Sequence, residues 1–357
     1  MPFKAYYMTP GHSLHKDLDE AAVAEALRSG QGLLWLDIVE TKEEDALFLR
    51  RVFGFHPLAV EDCLSELVHA PKVDDYDDYL FILTNGVNYR AQSHVVETNE
   101  LDLFLGRNYV VSNHNFQHYS VDEVKAQVEA TGGPMSKGAD YLLHSLLDSL
   151  TANVIPAMDT LTDEVDALEE EIVSRPERAR LDIVLSIKRS TVRIQRRIAP
   201  GREVLNRLSR GEFALVSPDA ARFFRDVYDR AVWVEGVNNA ISERADHTMM
   251  LYLSSFANRQ NESIRLLSIV TVIFMPLMLI AAIYGMNFHN MPELKWKYGY
   301  FSMLGVMAVF ALGISAIFWG KRWITWGRSG VRKMTPLTFD LDKVRGVGEK
   351  PKTGGLD

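Results

Sequence analysis

The chain has 357 residues, more than one domain of ordinary size holds, so two or three structural units are expected. Residues 263–357 contain twelve Lys/Arg and five Asp/Glu, a net charge of +7. Residues 1–262 contain the remaining 27 Lys/Arg and 42 Asp/Glu, a net charge of −15. An acidic body of this kind excludes nucleic acid as an expected partner, and the single cysteine, Cys63, excludes an internal disulfide and a cysteine-based metal cluster.

Residues 1–135 are predicted to form an α/β domain that ends at the Gly132-Gly133-Pro134 cluster. The apolar runs LLWLDI (33–38) and YLFILTN (79–85) are typical of strands. Two β-rich runs joined at Gly106-Arg107-Asn108 predict a hairpin over 101–113, and residues 41–53 are predicted to be helical.

Residues 136–218 are predicted to form an antiparallel helical hairpin. Its first arm is 141–172, where apolar residues recur at spacings of three and four, and its second arm is 177–210, with Pro176 at a position where that helix could begin. Helical spacing then continues from 219 to 284. A helix of some 60 residues would be roughly 90–100 Å long, which indicates a stalk (219–262) that leaves the soluble body and enters a membrane.

Two segments have the length and composition of transmembrane helices, namely 263–284 and 300–320. The basic cluster in 321–357 follows the second segment and predicts that this tail is cytoplasmic. Since the N-terminus lacks a signal peptide, both termini are expected in the cytoplasm of a multi-pass protein of the cell membrane, with its lipid as surroundings. Residues 285–299 are then the outer loop.

If a chain with two membrane segments conducts ions, it must be an oligomer, because two helices cannot enclose a pore. One segment from each copy would then line the axis. One face of the first segment carries Asn261, Ile264, Leu267, Thr271 and Met275. This face has no carboxylate, but Mg²⁺ gives up its waters reluctantly, and amide, hydroxyl and carbonyl groups can hydrogen-bond those waters. Leu267 and Met275 would form narrow apolar collars. The same pattern also suits a plain coiled-coil core, in which Asn261 sets the register.

A sequence signature stands at the outer end of this segment. Tyr284-Gly285-Met286-Asn287-Phe288, followed by MPEL at 291–294 and placed between two C-terminal membrane segments, resembles the CorA-type magnesium transporters of the two-membrane-segment, Gly-x-Asn superfamily. The runs IFMPL (273–277), WKYGY (296–300) and YLSSFANRQNE (252–262) are similar to that family as well. The resemblance extends over nearly the whole chain.

The resemblance implies a funnel-shaped homopentamer. Gly285, Met286 and Asn287 would form an outer selectivity ring, and Asn261 and Met275 would line the pore. Glu293 in the outer loop could attract cations, although Lys295 and Lys297 offset it.

The family also binds regulatory divalent ions between neighbouring cytoplasmic domains, which implies such a role for Asp226. An acidic partner is expected near Arg90, where the sequence has none; the nearby acids are Asp74, Asp75, Asp77 and Asp78. Mg²⁺ would then be both the transported and the regulatory ion, with no other cofactor.

The leading hypothesis is therefore a channel for Mg²⁺, and for Co²⁺ or Ni²⁺, driven inward by the membrane potential and gated by intracellular divalent cations. A zinc transporter on the same architecture is the nearest alternative, and a two-segment membrane sensor that conducts nothing is another. No catalytic or nucleotide-binding pattern is recognised, so an enzyme is not expected. The pairs His12/His15 and His114/His118 have metal-ligand spacings, but they are expected to be ordinary surface histidines.

Overall fold

A seven-stranded mixed sheet organises the N-terminal part of the chain. The computed structural model describes residues 3–65, 67–90, 94–176, 178–287 and 295–320. Contacts divide the chain into two units, Met1–Phe256 and Ala257–Asp357.

The strands are β1 (Phe3–Met8), β2 (Leu14–Lys16), β3 (Leu33–Val39), β4 (Lys72–Asp75), β5 (Leu80–Arg90), β6 (Val95–Leu105) and β7 (Tyr109–His114). The helices are α1 (Glu20–Ser29), α2 (Glu43–Phe53), α3 (Pro57–Leu64), α4 (Tyr119–Thr131), α5 (Ala139–Ala152), α6 (Ile155–Ser174), α7 (Leu181–Ser209), α8 (Pro218–Tyr284) and α9 (Gly299–Gly320).

The strand order is β2-β1-β3-β7-β6-β5-β4, and β3–β7 is the parallel pair among antiparallel neighbours. Side chains alternate across the sheet as the period of a strand requires. Leu33 and Trp35 pack on the side covered by α4, α5, α7 and α8, whereas Leu34 and Leu36 pack on the side covered by α1 to α3. Each face of the sheet therefore has its own hydrophobic core, and the predicted α/β class is confirmed.

The hairpin predicted over 101–113 is formed by β6 and β7. Leu105 is paired with Val110, and the Gly106 N–H donates to the Tyr109 carbonyl at 3.0 Å. The Tyr109 ring lies over Gly106 so closely that a Cβ there would come within 2.2 Å of it. Glycine is needed at this turn because any side chain would collide with that ring.

The helical region after residue 135 differs from the prediction in two places. The segment 141–172 is two helices, α5 and α6, because the chain breaks near Asn153 and α6 begins with Pro156 in its first turn, where the missing N–H costs nothing. The following helix begins at Leu181 instead of next to Pro176, and its first turn carries Asp182, an acid at the positive end of the helix dipole. A third hydrophobic core joins α6, α7 and α8 to Val96 of β6.

The helix predicted over 219–284 is confirmed as α8, which runs without a break through Pro276. Among the described residues, α8 and α9 are the two helices long and apolar enough to cross a membrane. The sequence of α9 contains no charged residue, and its side chains are mostly exposed in the single chain. The predicted basic tail, 321–357, lies outside the described residues.

Candidate ion pathway

The predicted pore-lining residues lie on one exposed face of α8. Every member of the set is exposed in the single chain: Asn261, Ile264, Leu267, Thr271 and Met275. Ile269 is buried, at 6% exposure, and lies two residues from both Leu267 and Thr271. At 3.6 residues per turn, two residues are about 160° apart around the axis, so the predicted face points away from the covered side of the helix.

Thr271 has a defined hydrogen-bonding role on this face. Its Oγ1 donates to the Leu267 carbonyl, at 2.9 Å. The hydroxyl hydrogen is therefore engaged within the helix, and the lone pairs of the oxygen remain available on the exposed side. A group in this state accepts hydrogen bonds, and the waters around a divalent cation are hydrogen-bond donors.

The signature lies where α8 ends. Tyr284 is the last helical residue, and the N–H of Gly285 and the N–H of Met286 donate to the carbonyls of Ala281 and Ile283, at 3.0 and 3.2 Å. Gly285, Met286 and Asn287 are exposed, and the Asn287 side chain follows directly after this closing turn. A Cβ at Gly285 would come within 3.3 Å of the Ala281 carbonyl oxygen, so the turn leaves little room for a side chain. Glu293 lies outside the described residues.

Asp226, the predicted regulatory residue, is exposed on α8. Of the acids considered as its partners, Asp74 contacts the Lys72 ammonium at 3.0 Å, and Asp75 accepts the backbone N–H of Asp77 at 3.0 Å. The side chain of Arg90 is outside the described part of the chain. Within that part, no group of three or more His, Cys, Asp or Glu side chains is arranged to hold a metal ion.

The expectation that His114 and His118 are surface residues is wrong. Both are buried, with 3% and 5% exposure, and their rings are 5.9 Å apart. His114 Nδ1 lies 2.6 Å from the Phe116 carbonyl, whereas neither ring nitrogen of His118 has a hydrogen-bond partner among the described residues. Burial and the charges of His114 and Lys125 lower the pKa of His118 to about 4, so this ring is neutral at physiological pH.

A buried polar network next to these histidines was not predicted. Asp37 on β3 is fully buried, and its Oδ2 lies 2.6 Å from the Lys125 ammonium on α4. Ser112 Oγ donates to Asp37 Oδ1 at 2.5 Å and accepts from Trp35 Nε1 at 3.0 Å. His114 Nε2 makes a longer contact with Oδ1, at 3.4 Å. A charged residue inside the apolar run LLWLDI was the one available signal, because a charge in a buried strand requires a partner.

Burial alone would raise the pKa of Asp37, but the contacts with His114 and Lys125 outweigh it and hold this pKa below the ordinary value. Asp37 is therefore a carboxylate at neutral pH. Because its folded-state pKa is the lower one, its contribution to stability is complete above the unfolded-state pKa and is lost as the pH falls through the folded-state pKa.

Comparisons with known proteins agree on one family. Residues 30–322 match the family described as CorA-like Mg²⁺ transporter protein. The cobalt/magnesium transport protein CorA of Thermotoga maritima is 36% identical over 295 residues, covering 81% of this chain and 83% of the relative. The zinc transport protein ZntB of Yersinia enterocolitica is 22% identical over 302 residues, covering 84% of this chain and 90% of its own. The structure of the CorA magnesium transporter from Methanocaldococcus jannaschii matches with a TM-score of 0.80 at 20% identity, covering 91% of this chain and 99% of that one.

Proposed function

The chain belongs to the family of CorA-like Mg²⁺ transporters, and on that premise we propose that it conducts Mg²⁺ into the cell, with Co²⁺ and Ni²⁺ as further cargoes. As a member of this family it is a divalent cation transporter and not an enzyme. In the proposed arrangement, residues 1–262 and 321–357 are cytoplasmic, 263–284 and 300–320 cross the membrane, and 285–299 face outward.

One observation carries the proposal: α8 presents an exposed, mostly apolar face with isolated polar groups and ends at Gly285-Met286-Asn287. Within the membrane, such a face must be covered by lipid or by other copies of the chain, and Thr271, with its oxygen lone pairs available, is poorly suited to lipid. Five copies of α8 around an axis would cover the face and turn it into the wall of a pore. The number five is taken from the pentamer that the sequence resemblance implies.

The chemistry of the proposed wall suits a hydrated cation. The lone pairs of Thr271, the amide of Asn261 and the ring of Asn287 amides can accept hydrogen bonds from the ion's waters, so Mg²⁺ need not shed them. Leu267 and Met275 would narrow the pore between these polar levels. A divalent cation gains about 4.6 kcal/mol for each 100 mV of membrane potential, twice the value for a unit charge. That is the proposed driving force.

Zinc is the second candidate cargo, because a ZntB relative covers most of the chain at 22% identity. The Thermotoga maritima cobalt/magnesium transporter is more similar, at 36% identity. Softer ligands such as histidine or thiolate, which favour zinc over magnesium, are absent from the proposed pore face within the described residues of α8. Magnesium is therefore the preferred assignment.

Cysteine labelling of intact cells tests the membrane arrangement. The native Cys63 is buried, so a single introduced cysteine would dominate the reaction with a membrane-impermeant maleimide. We expect Lys297→Cys, in the outer loop, to react without permeabilisation, and Glu243→Cys, exposed on the soluble part of α8, to react only after it. Labelling of Glu243→Cys from outside would show that the orientation is reversed.

Gating by internal divalent cations is proposed from charge. The −15 balance of residues 1–262 would be repeated in each copy, and cations bound between copies would relieve the repulsion. A ligand that prefers the closed assembly shifts the population toward it, so loss of internal Mg²⁺ would open the pore.

Limited proteolysis tests this gate. Chymotrypsin is suitable because it does not cut at an introduced lysine. Millimolar Mg²⁺ should slow cleavage severalfold relative to EDTA, and Asp226→Lys should weaken this protection and raise flux. Glu243→Lys is the matched charge reversal on an exposed site of the same helix, and it should behave as the wild type. Cleavage at equal rates in Mg²⁺ and EDTA would refute the sensor.

A further inference from the structure

The N-terminal unit contains a polar cavity that the transport proposal does not use. Its volume is about 780 Å³, and it is lined by Arg193, Arg196 and Arg197 of α7 on one side and by residues near the start of β6 on the other. Glu97 also lines it, so three cationic side chains face one carboxylate. The volume lies within the range of ordinary small-molecule sites.

The arginines differ in what they already bind. Arg197 donates to the carbonyls of His69 and Val68, at 2.7 and 3.1 Å, which fixes its position while its charge remains. Arg193 makes a long contact with the Val96 carbonyl at 3.4 Å, and both Arg193 and Arg196 are exposed. The guanidinium groups of Arg193 and Arg196 have N–H donors available, and they lie beside the fixed guanidinium of Arg197. Together they form a suitable rim, meaning the outer edge of the cavity, for binding a phosphate group.

A smaller pocket of about 180 Å³ adjoins this cavity. The two share four lining residues, Asn88, Asn99, Gln117 and Tyr119. His118 lies in the wall of the smaller pocket and is 95% buried, with both ring nitrogens unpartnered among the described residues. A neutral imidazole offers one donor and one acceptor, and leaving both unused in a buried site is costly.

Gly86 is the residue that makes room for this histidine. A Cβ at Gly86 would come within 2.7 Å of His118 Nε2 and Cε1, so the ring packs directly on the strand backbone. Asn99 is the cross-strand partner of Gly86 and places its amide at the same pocket. The pocket thus combines an imidazole and carboxamides with the apolar side chain of Leu150, which suits a flat ring with hydrogen-bonding edges.

Two aromatic side chains stand at the entrance. Phe116 and Tyr119 both line the larger cavity and are 67% and 66% exposed. Tyr119 also lines the inner pocket, so an aromatic ring of the kind on which bases stack is available to a base held there.

We propose that this cavity binds a nucleoside phosphate, with its base in the inner pocket at His118 and Asn99 and its phosphate at Arg193 and Arg196. A flat heterocycle would fill the inner pocket beside the carboxamides of Asn99 and Gln117, and the rim would neutralise the anionic group. Bare phosphate would leave the inner pocket unused, and a free nucleoside would leave the arginines unpaired.

Calorimetric titration of the full chain in detergent tests the proposal, in Mg²⁺-free buffer so that cargo binding does not interfere. AMP should bind with one site per chain, and at least tenfold more tightly than adenosine, ribose 5-phosphate or inorganic phosphate. Arg193→Glu combined with Arg196→Glu should weaken AMP binding at least tenfold. Arg189→Glu is the control, because this arginine is exposed on the same helix and does not line the cavity.

The inner pocket needs a variant of its own. Asn99→Leu keeps the approximate size of a half-buried side chain and removes its amide, so it should abolish the preference for AMP over ribose 5-phosphate. The arginine variants change exposed residues, so they still test AMP binding if Asn99→Leu does not fold. Absence of AMP binding, equal affinity for AMP and phosphate, or an equal loss in Arg189→Glu would overturn the proposal.

Discussion

Replacing Asn287 with alanine is expected to remove most of the ion flux, at least tenfold, while the assembly remains intact. The residue lies just past the closing turn of α8 and is exposed, so the rest of the chain does not depend on its side chain. In the proposed pentamer, five carboxamides contact the waters of one ion. A hydrogen bond of this kind contributes about 0.5–1.5 kcal/mol, and the loss of a few exceeds the 1.4 kcal/mol that corresponds to a factor of ten.

The flux of Asn287→Ala is best measured beside Asn239→Ala, which removes an exposed asparagine from the soluble part of the same helix. Asn239→Ala should conduct normally, and both variants should elute from a sizing column as the wild type does. Wild-type flux in Asn287→Ala would mean that the amide ring is not the selectivity element.

Lys125→Met is expected to destabilise the N-terminal unit by about 3–5 kcal/mol, because it removes the ammonium group that lies 2.6 Å from the fully buried Asp37 carboxylate. Methionine preserves the length of the side chain, so the effect is one of charge and not of packing. Combining Lys125→Met with Asp37→Asn should recover much of the loss, since neutral groups replace both members of the pair. The free energy of unfolding, from denaturant titration of the full chain in detergent, measures both.

Lys16→Met is the control for this experiment. Lys16 pairs with Glu129 at 3.0 Å, but both side chains are about 40% exposed, and solvent screens such a pair. Its removal should cost about 0–1 kcal/mol. Equal and small effects of Lys16→Met and Lys125→Met would show that the buried network does not stabilise the fold.

The strands could be predicted because their apolar runs match a sheet covered on both faces. LLWLDI places Leu33 and Trp35 in one core and Leu34 and Leu36 in the other, so continuous hydrophobicity was the correct signal for β3. The long apolar stretches of α8 and α9 were also predictable, since length and composition alone identify them. The family resemblance rested on Gly285-Met286-Asn287 at the end of α8, and the match over residues 30–322 confirms it.

Features that depend on contacts between distant parts of the chain could not be predicted from the sequence. Apolar spacing continues through Asn153, so 141–172 had the pattern of one helix, although the chain turns before Pro156. The burial of His118 depends on the absence of a side chain at Gly86, a residue 32 positions away, and no local pattern reveals it. The arginines of α7 belong to the predicted second arm of the hairpin, 177–210, but the cavity they line exists only once α7 lies against the sheet.

Ion uptake into liposomes containing the purified chain is the decisive test of whether this chain conducts Mg²⁺ along the membrane potential. A potassium diffusion potential of about 100 mV, negative inside, would supply about 4.6 kcal/mol per divalent ion. With an entrapped indicator and parallel assays of Mg²⁺, Co²⁺, Ni²⁺ and Zn²⁺, we expect Mg²⁺ uptake that requires the potential and exceeds Zn²⁺ uptake. Mg²⁺ uptake no faster than in empty liposomes, or Zn²⁺ uptake faster than that of Mg²⁺, would contradict the claim.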